Sequence, residues 1–104
     1  MARLDVYANP IGEHRREVPF WVDVQSDFLK SLDTRVVLPL RRLRTAPVAA
    51  QRLNPVFTVE GIEVFLDAAN IATFPAHRLG KRVTSLGAHR FDIDNALDML
   101  FQGL

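Results

Sequence analysis

The chain has 104 residues, 48% of them hydrophobic and 24% charged, a composition that predicts one globular domain over residues 1–104 and excludes a disordered protein. Thirteen Lys and Arg residues against twelve Asp and Glu give a formal net charge of +1, so no overall field favours nucleic acid or acidic membranes. The absence of cysteine excludes disulfides, thiolate metal sites and a cysteine nucleophile, and together with the lack of a long apolar run it predicts a cytoplasmic protein without a membrane span.

Alternating apolar and polar residues predict two strands in the first quarter of the chain. The first runs from Leu4 to Ala8, and the polar stretch after it, which contains proline and glycine, predicts a loop or a loose hairpin. The second is FWVDVQ (residues 20–25), in which Asp23 and Gln25 alternate with valines.

Three further extended segments follow. The apolar run RVVLPL (35–40) contains Pro39, which cannot donate to a ladder, so this strand is expected to lie at a sheet edge or to bulge there. The segment PVFTVEGIEVFLD (55–67) predicts a hairpin with its turn at Glu60-Gly61. NIATFP (70–75) predicts a short strand that ends at its proline.

From Ser85 onward the apolar period changes to that of a helix. Gly87 weakens the first turn by about 1 kcal/mol relative to alanine and shifts the expected start to the residues after it. Gly103 followed by Leu104 predicts a C-cap that folds the tail back, and the alternative is a tail held out for a partner. Short antiparallel strands followed by one helix predict a small β-barrel, or a pair of small sheets, with a helix packed on it.

The residues that carry chemistry form no familiar catalytic or metal-binding pattern. His14, His77 and His89 lie in separate segments without metal-ligand spacing, and the scattered glycines provide no phosphate loop. The residues Ser26 and Asp27 are interpreted as a turn that closes a strand. We therefore expect binding rather than catalysis.

The densest basic cluster is LRRLR, from Leu40 to Arg44, with Arg52 beyond it. Because the net charge is nearly balanced, we interpret this cluster as a solvated loop rather than a contact for RNA or DNA.

Three stretches, taken together, resemble the CcdB toxin family. They are FWVDVQSD (20–27), RVVLPL (35–40) followed by LNPVF (53–57), and NALDMLFQGL (95–104). The shorter segments ATFP, LGKRV and SLGAHRFDI and the opening ARLDVYAN also fit the family's order. From Asn54 to Leu104 the match runs without a gap, and the length differs only in the loop from Asn9 to Pro19.

The resemblance implies an SH3-like small barrel, mainly β with one C-terminal helix, that forms a homodimer. It implies the toxin of a type II toxin–antitoxin module and not an enzyme, with no cofactor and no metal. Such a toxin binds the A subunit of DNA gyrase and traps its cleaved DNA complex until a partly disordered cognate antitoxin removes it. It meets operator DNA only through the antitoxin and does not bind membranes.

The resemblance also implies which residues contact gyrase. In this family the end of the helix forms the contacting tip, where a Trp follows a Phe. Gln102 stands at the Trp position, and losing most of the indole's burial weakens such a contact by about 2–4 kcal/mol. Asp98, one turn earlier, replaces an amide and adds a negative charge. The implied gyrase-binding residues are Phe28, Leu29, Asp98, Phe101, Gln102, Gly103 and Leu104. Periodicity alone favours Phe28 and Leu29 as core residues.

Two alternatives remain open from the sequence. One is a CcdB-like homologue that dimerises and binds an antitoxin but has lost gyrase poisoning. The presence of Gln102 at the Trp position supports this alternative. The other is an endoribonuclease of the Kid/MazF kind, which shares the barrel and would use Arg15, Asp23 or His77 to hold phosphate and move protons.

Overall fold

The computed structural model describes residues 1–43 and 52–103, and within them it contains a β-sheet followed by one α-helix. The strands and the helix are β1 (Asp5–Ala8), β2 (Phe20–Asp23), β3 (Thr34–Arg42), β4 (Val56–Val59), β5 (Ile62–Leu66), β6 (Ala72–Pro75), β7 (Arg82–Ser85) and α1 (Arg90–Gln102). The expectation of a mainly β fold with one C-terminal helix is confirmed.

The strands form one antiparallel sheet in the order β4-β5-β3-β2-β1-β7. The long strand β3 pairs with β2 along one side, and on the other side it pairs first with β6 and then with β5. Because one strand serves two partners in succession, the sheet divides at this point and curls into a half-barrel.

Of the two alternatives expected for the strand with Pro39, an edge position or a bulge, the edge position is wrong, because β3 lies in the middle of the sheet. Pro39 sits where β3 passes from β6, whose pairing ends at Val37, to β5, whose pairing begins at Leu40. The carbonyl of Pro39 accepts a hydrogen bond from the Asp67 N–H at 2.9 Å. The nitrogen of Pro39 faces the same side, towards this gap, where its missing N–H removes no ladder bond.

The predicted hairpin and its turn are confirmed. Val59 pairs with Ile62 across the two-residue loop, and Glu60 and Gly61 both have positive φ, at 48° and 77°. Positive φ at both central positions defines a type I′ turn, whose twist matches that of the flanking strands.

Buried side chains form a cluster on each face of the sheet, so the alternation in β1 does not mark an exposed face. Leu4 and Val6 belong to the main core, whereas Tyr7 belongs to a second cluster on the opposite face with Val37 and Phe74. The two clusters explain why nearly every residue of β1 is buried.

The helix begins after Gly87, as expected. A 3₁₀ turn spans Gly87–His89, the Ser85 hydroxyl accepts a hydrogen bond from the Gly87 N–H at 3.0 Å, and α1 follows. Ile93 and Ala96 insert from α1 into the main core with no exposed surface. The strand β7, which ends at Ser85, was not predicted. Among the described residues, no helix is both long enough and apolar enough to cross a bilayer.

Candidate protein-binding surface

A short 3₁₀ turn after β2, Asp27–Leu29, presents apolar side chains to solvent. Phe28 is 97% exposed, and Leu29 and Leu32 are about half exposed. The interpretation of Phe28 and Leu29 as core residues, which periodicity alone favours, is wrong. An almost fully exposed phenylalanine lowers solubility without stabilising the fold, so this turn is a candidate surface for binding a partner.

Hydrogen bonds from beneath hold this turn in place. The buried side chain of Gln25 accepts from the Val36 N–H through Oε1 (3.0 Å) and donates from Nε2 to the Leu29 carbonyl (3.0 Å). The Ser26 hydroxyl accepts from the Phe28 N–H at 3.2 Å. The predicted strand end closed by a Ser/Asp turn is confirmed, and its effect is to fix the backbone that carries Phe28.

A buried ion pair lies directly under this network. Arg35 Nε donates to Asp23 Oδ2 at 2.7 Å, and both side chains are almost completely buried. The other carboxylate oxygen of Asp23 accepts from the Gln25 N–H at 2.9 Å. Asp23 therefore joins β2, β3 and the turn, and its burial removes it from contact with any large substrate.

The end of α1 supplies the second part of the surface. Phe101 is 68% exposed, and Asp98 and Gln102 are also exposed. Gly103 adopts the left-handed conformation at φ 71°, and its N–H donates to the Met99 carbonyl at 3.0 Å. This is an αL C-cap, so the capping interpretation is confirmed for Gly103. Leu104 lies outside the described residues.

Arg3 connects the turn to the helix. Its backbone N–H donates to Asp27 Oδ1 at 2.9 Å, and its guanidinium pairs with Asp94 Oδ1 at 2.6 Å. One arginine thus spans the distance between the turn and the middle of α1, one turn before Asp98. We call the exposed residues Phe28, Leu29, Asp98, Phe101 and Gln102 the tip surface.

Arg3 and Gln25 were not identified from the sequence as positioning residues. Gln25 carries a weak signal, since it is a long polar residue next to the apolar alternation of a strand. Arg3 carries none, because its partner Asp94 lies 91 positions away.

The residues considered for an endoribonuclease are not assembled into an accessible set. Arg15 Nε donates to the Asn9 carbonyl at 2.5 Å, Asp23 is buried with Arg35, and His77 is exposed in a separate 3₁₀ turn. Within residues 1–43 and 52–103, no three His, Asp or Glu side chains cluster as metal ligands.

The interpretation of the basic cluster as a solvated loop is wrong for its first residues, since Leu40, Arg41 and Arg42 continue β3. Leu40 is buried in the main core, and Arg41 pairs with Asp67 at 3.2 Å. Arg44 lies outside the described residues.

Comparison with known proteins gives two kinds of match. The family model described as "CcdB protein" matches residues 3–103. One similar solved structure is an endoribonuclease in complex with its cognate antitoxin from a mycobacterial species. It has a TM-score of 0.75 and 20% identity, and the match covers 100% of this chain and 96% of that one.

A second solved structure, an endoribonuclease from a mycobacterial species, has a TM-score of 0.69 and 17% identity over 100% of this chain and 92% of its own. At such identities the likeness concerns the fold alone. It confirms the predicted small barrel.

Proposed function

The chain belongs to the CcdB family, and from this premise we propose that it is the toxin of a type II toxin–antitoxin pair that binds the A subunit of DNA gyrase. In this proposal the toxin is not an enzyme and needs no cofactor: it traps the cleaved complex of gyrase with DNA by occupying a surface. The observation that carries the proposal is Phe28, which is 97% exposed on a turn fixed by buried hydrogen bonds.

The fixed turn makes binding through Phe28 energetically favourable. Full burial of one phenylalanine side chain contributes about 1.5–3 kcal/mol. A turn that is already held by Gln25 and Ser26 loses little conformational freedom on binding, so little of that free energy is offset. Phe28 is therefore proposed as the anchor, and Leu29 and Phe101 as further apolar contacts.

Gln102 makes the tip surface more polar than a tryptophan at this position would. Its amide forms hydrogen bonds but buries little apolar area, so the phenylalanines and Leu29 supply most of the affinity. Gly103 caps the helix, and it and Leu104 are included among the proposed gyrase-binding residues.

We also propose a cognate antitoxin as partner, because one solved structure of the same fold is described as bound to its own. An extended, partly disordered antitoxin segment would cover the tip surface and fold as it binds. The protein would act as a homodimer in the cytoplasm and would reach operator DNA only through the antitoxin.

Purified protein with purified gyrase tests the proposal. We expect the wild type to stabilise cleaved DNA, and we expect Phe28→Ser to lose this effect by about tenfold or more because the anchor is removed. The matched control is Phe91→Ser, which removes another exposed phenylalanine (77%) at the opposite end of α1 and leaves activity unchanged. A wild type that neither inhibits supercoiling nor stabilises cleaved DNA would contradict the proposal and favour a homologue that only dimerises and binds antitoxin.

The same preparation tests the endoribonuclease alternative, which the names of the two solved structures keep open. Because Asp23 is buried with Arg35, it cannot approach an RNA phosphate. We expect RNA incubated with the protein to remain intact, and cleavage that co-purifies with the wild type but disappears in Arg15→Ala would favour the enzyme.

A further inference from the structure

A cavity of about 510 Å³ lies on the second face of the sheet and shares no residue with the tip surface. Its walls come from the loop after β1 and from neighbouring positions of β2 and β3, where Trp21 pairs with Pro39. This volume is within the range of sites for small molecules and cofactors.

The loop wall is held firmly. Asn9 donates from Nδ2 to the Val18 carbonyl at 2.9 Å and accepts from the Ile11 N–H through Oδ1 at 2.9 Å. The His14 carbonyl accepts from the Val18 N–H at 2.9 Å. These bonds close the loop across its base, so the cavity is a built feature of the fold.

The floor of the cavity is aromatic. Trp21 packs edge-on against Phe74, with ring centroids 5.1 Å apart, which fixes the indole. Its buried indole N–H finds no acceptor in the part of the chain that the structure describes. The indole as a whole is only partly buried, and a fixed, partly exposed aromatic ring suits stacking with a flat ring of a ligand.

The rim carries charges that are not neutralised internally. Arg41 is occupied by Asp67 at 3.2 Å and Glu17 at 3.6 Å. The exposed side chains of His14 and Arg16, by contrast, form no hydrogen bond or ion pair with any described residue, and the same holds for the carboxylate of Glu13. The rim thus offers donors for an anion beside an acceptor for hydroxyl or amino groups.

We propose that this cavity binds one nucleotide unit of a single-stranded nucleic acid. The base packs against Trp21, the phosphate receives hydrogen bonds from Arg16 and His14, and Glu13 accepts from a sugar hydroxyl or an exocyclic amine. Since neither this site nor its ligand involves the tip surface, its occupancy is independent of gyrase binding.

Trp21 makes the test direct, because it is the only tryptophan in the chain. Cytidine 5′-monophosphate is titrated into the purified full chain while Trp21 fluorescence is followed, with cytidine and ribose 5-phosphate as partial ligands. We expect saturable quenching by the nucleotide, with an affinity about tenfold above that of either part, and weakening with added salt.

The variant Arg16→Ala should weaken nucleotide binding about tenfold. Its matched control is Arg90→Ala, an exposed arginine that does not line the cavity, which should bind like the wild type. Melting curves of both variants establish that they are folded.

Three results would overturn the proposal. The first is the absence of saturable quenching at millimolar nucleotide, and the second is equal affinity of Arg16→Ala and wild type. The third is stronger, Arg16-dependent quenching by an acidic peptide such as hexaglutamate, which would assign the cavity to a protein partner instead.

Discussion

The buried ion pair between Arg35 and Asp23 is important for the position of neighbouring backbone more than for stability. Arg35 is 1% exposed and gives only its Nε to Asp23, while Nη1 and Nη2 find no acceptor among residues 1–43 and 52–103. A buried charge of this kind is expensive to desolvate, so the pair is weak support for stability. Its clear effect is geometric, because Asp23 ties the turn that carries Phe28 to two strands.

Tyr7 lies close enough to Asp23 and Arg35 for their charges to affect its ionisation. Burial, which is the largest cause, and the carboxylates of Asp5 and Asp23 together raise the pKa of its hydroxyl to about 12, against the opposing guanidinium groups of Arg35 and Arg82. Negative charge on the phenolate is unfavourable here because it would be poorly solvated and close to other anions.

We predict that alkaline titration of Tyr7, the only tyrosine in the chain, has its midpoint near pH 12. The unfolded chain releases this proton near pH 10, so unfolding becomes more favourable between pH 10 and pH 12. The free energy of unfolding should fall by about 3 kcal/mol across this interval and show no Tyr7 contribution below it. Absorbance of the phenolate measures the pKa, and denaturant unfolding measures the stability.

The variant Tyr7→Phe is the control for that titration. It should lose the absorbance change and the corresponding part of the alkaline destabilisation. A Tyr7 midpoint near pH 10 in the folded protein would show that the hydroxyl is not buried as described.

At the scale of elements, local signals in the sequence predicted the parts whose structure is local. The type I′ turn follows from the Glu60-Gly61 pair, and the position of α1 follows from its apolar period, Gly87 and Gly103. The strand β7 escaped prediction because only Val83 among its four residues is strongly apolar, and its pairing with β1 spans most of the chain.

In the candidate site, too, the features that depend on distant parts of the chain were not predicted. The family resemblance indicated the tip residues, but their exposure could not be read from periodicity, because the direction of Phe28 depends on Gln25, Arg35 and Arg3 from three different segments. The central position of β3 was hidden for a similar reason, since the partner change at Pro39 involves strands more than 20 residues further on.

The helix end provides the prediction at this scale. Gln102 is exposed, so Gln102→Trp is accommodated without repacking the core, and Gly103 continues to cap the helix. We expect the variant to bind the gyrase A subunit more tightly by about 2–4 kcal/mol where the partner retains a pocket for the ring. Calorimetric titration measures the affinity, and Gln102→Ala provides the comparison for simple loss of the amide.

If Gln102→Trp and the wild type bind alike, and Gln102→Ala does too, the end of α1 is only a cap. The interface would then depend on Phe28 and Leu29 alone.

At the scale of the whole molecule, one chain leaves three phenylalanines largely exposed: Phe28, Phe91 and Phe101. Phe28 and Phe101 belong to the tip surface that is proposed to bind partners, whereas Phe91, at the start of α1, is assigned no partner. In the proposed homodimer a two-fold axis brings the two α1 ends side by side, so that one part of each Phe101 ring packs between the protomers and the rest of the tip surface, with Phe28, remains open to gyrase.

We therefore predict a dimer in sedimentation velocity at micromolar concentration, and we predict that Phe101→Ser raises its dissociation constant about tenfold or more. The physical reason is the loss of one buried ring from each protomer at a symmetric interface, where every change acts twice. Because Phe101 is exposed in the single chain, the melting temperature extrapolated to low concentration should remain close to that of the wild type.

Phe91→Ser should sediment as the wild type does, and Phe28→Ser should remain dimeric while losing gyrase binding. A wild-type protein that sediments as a monomer at high micromolar concentration would contradict the dimer, and equal loss of dimerisation in all three variants would contradict a dimer contact made by Phe101.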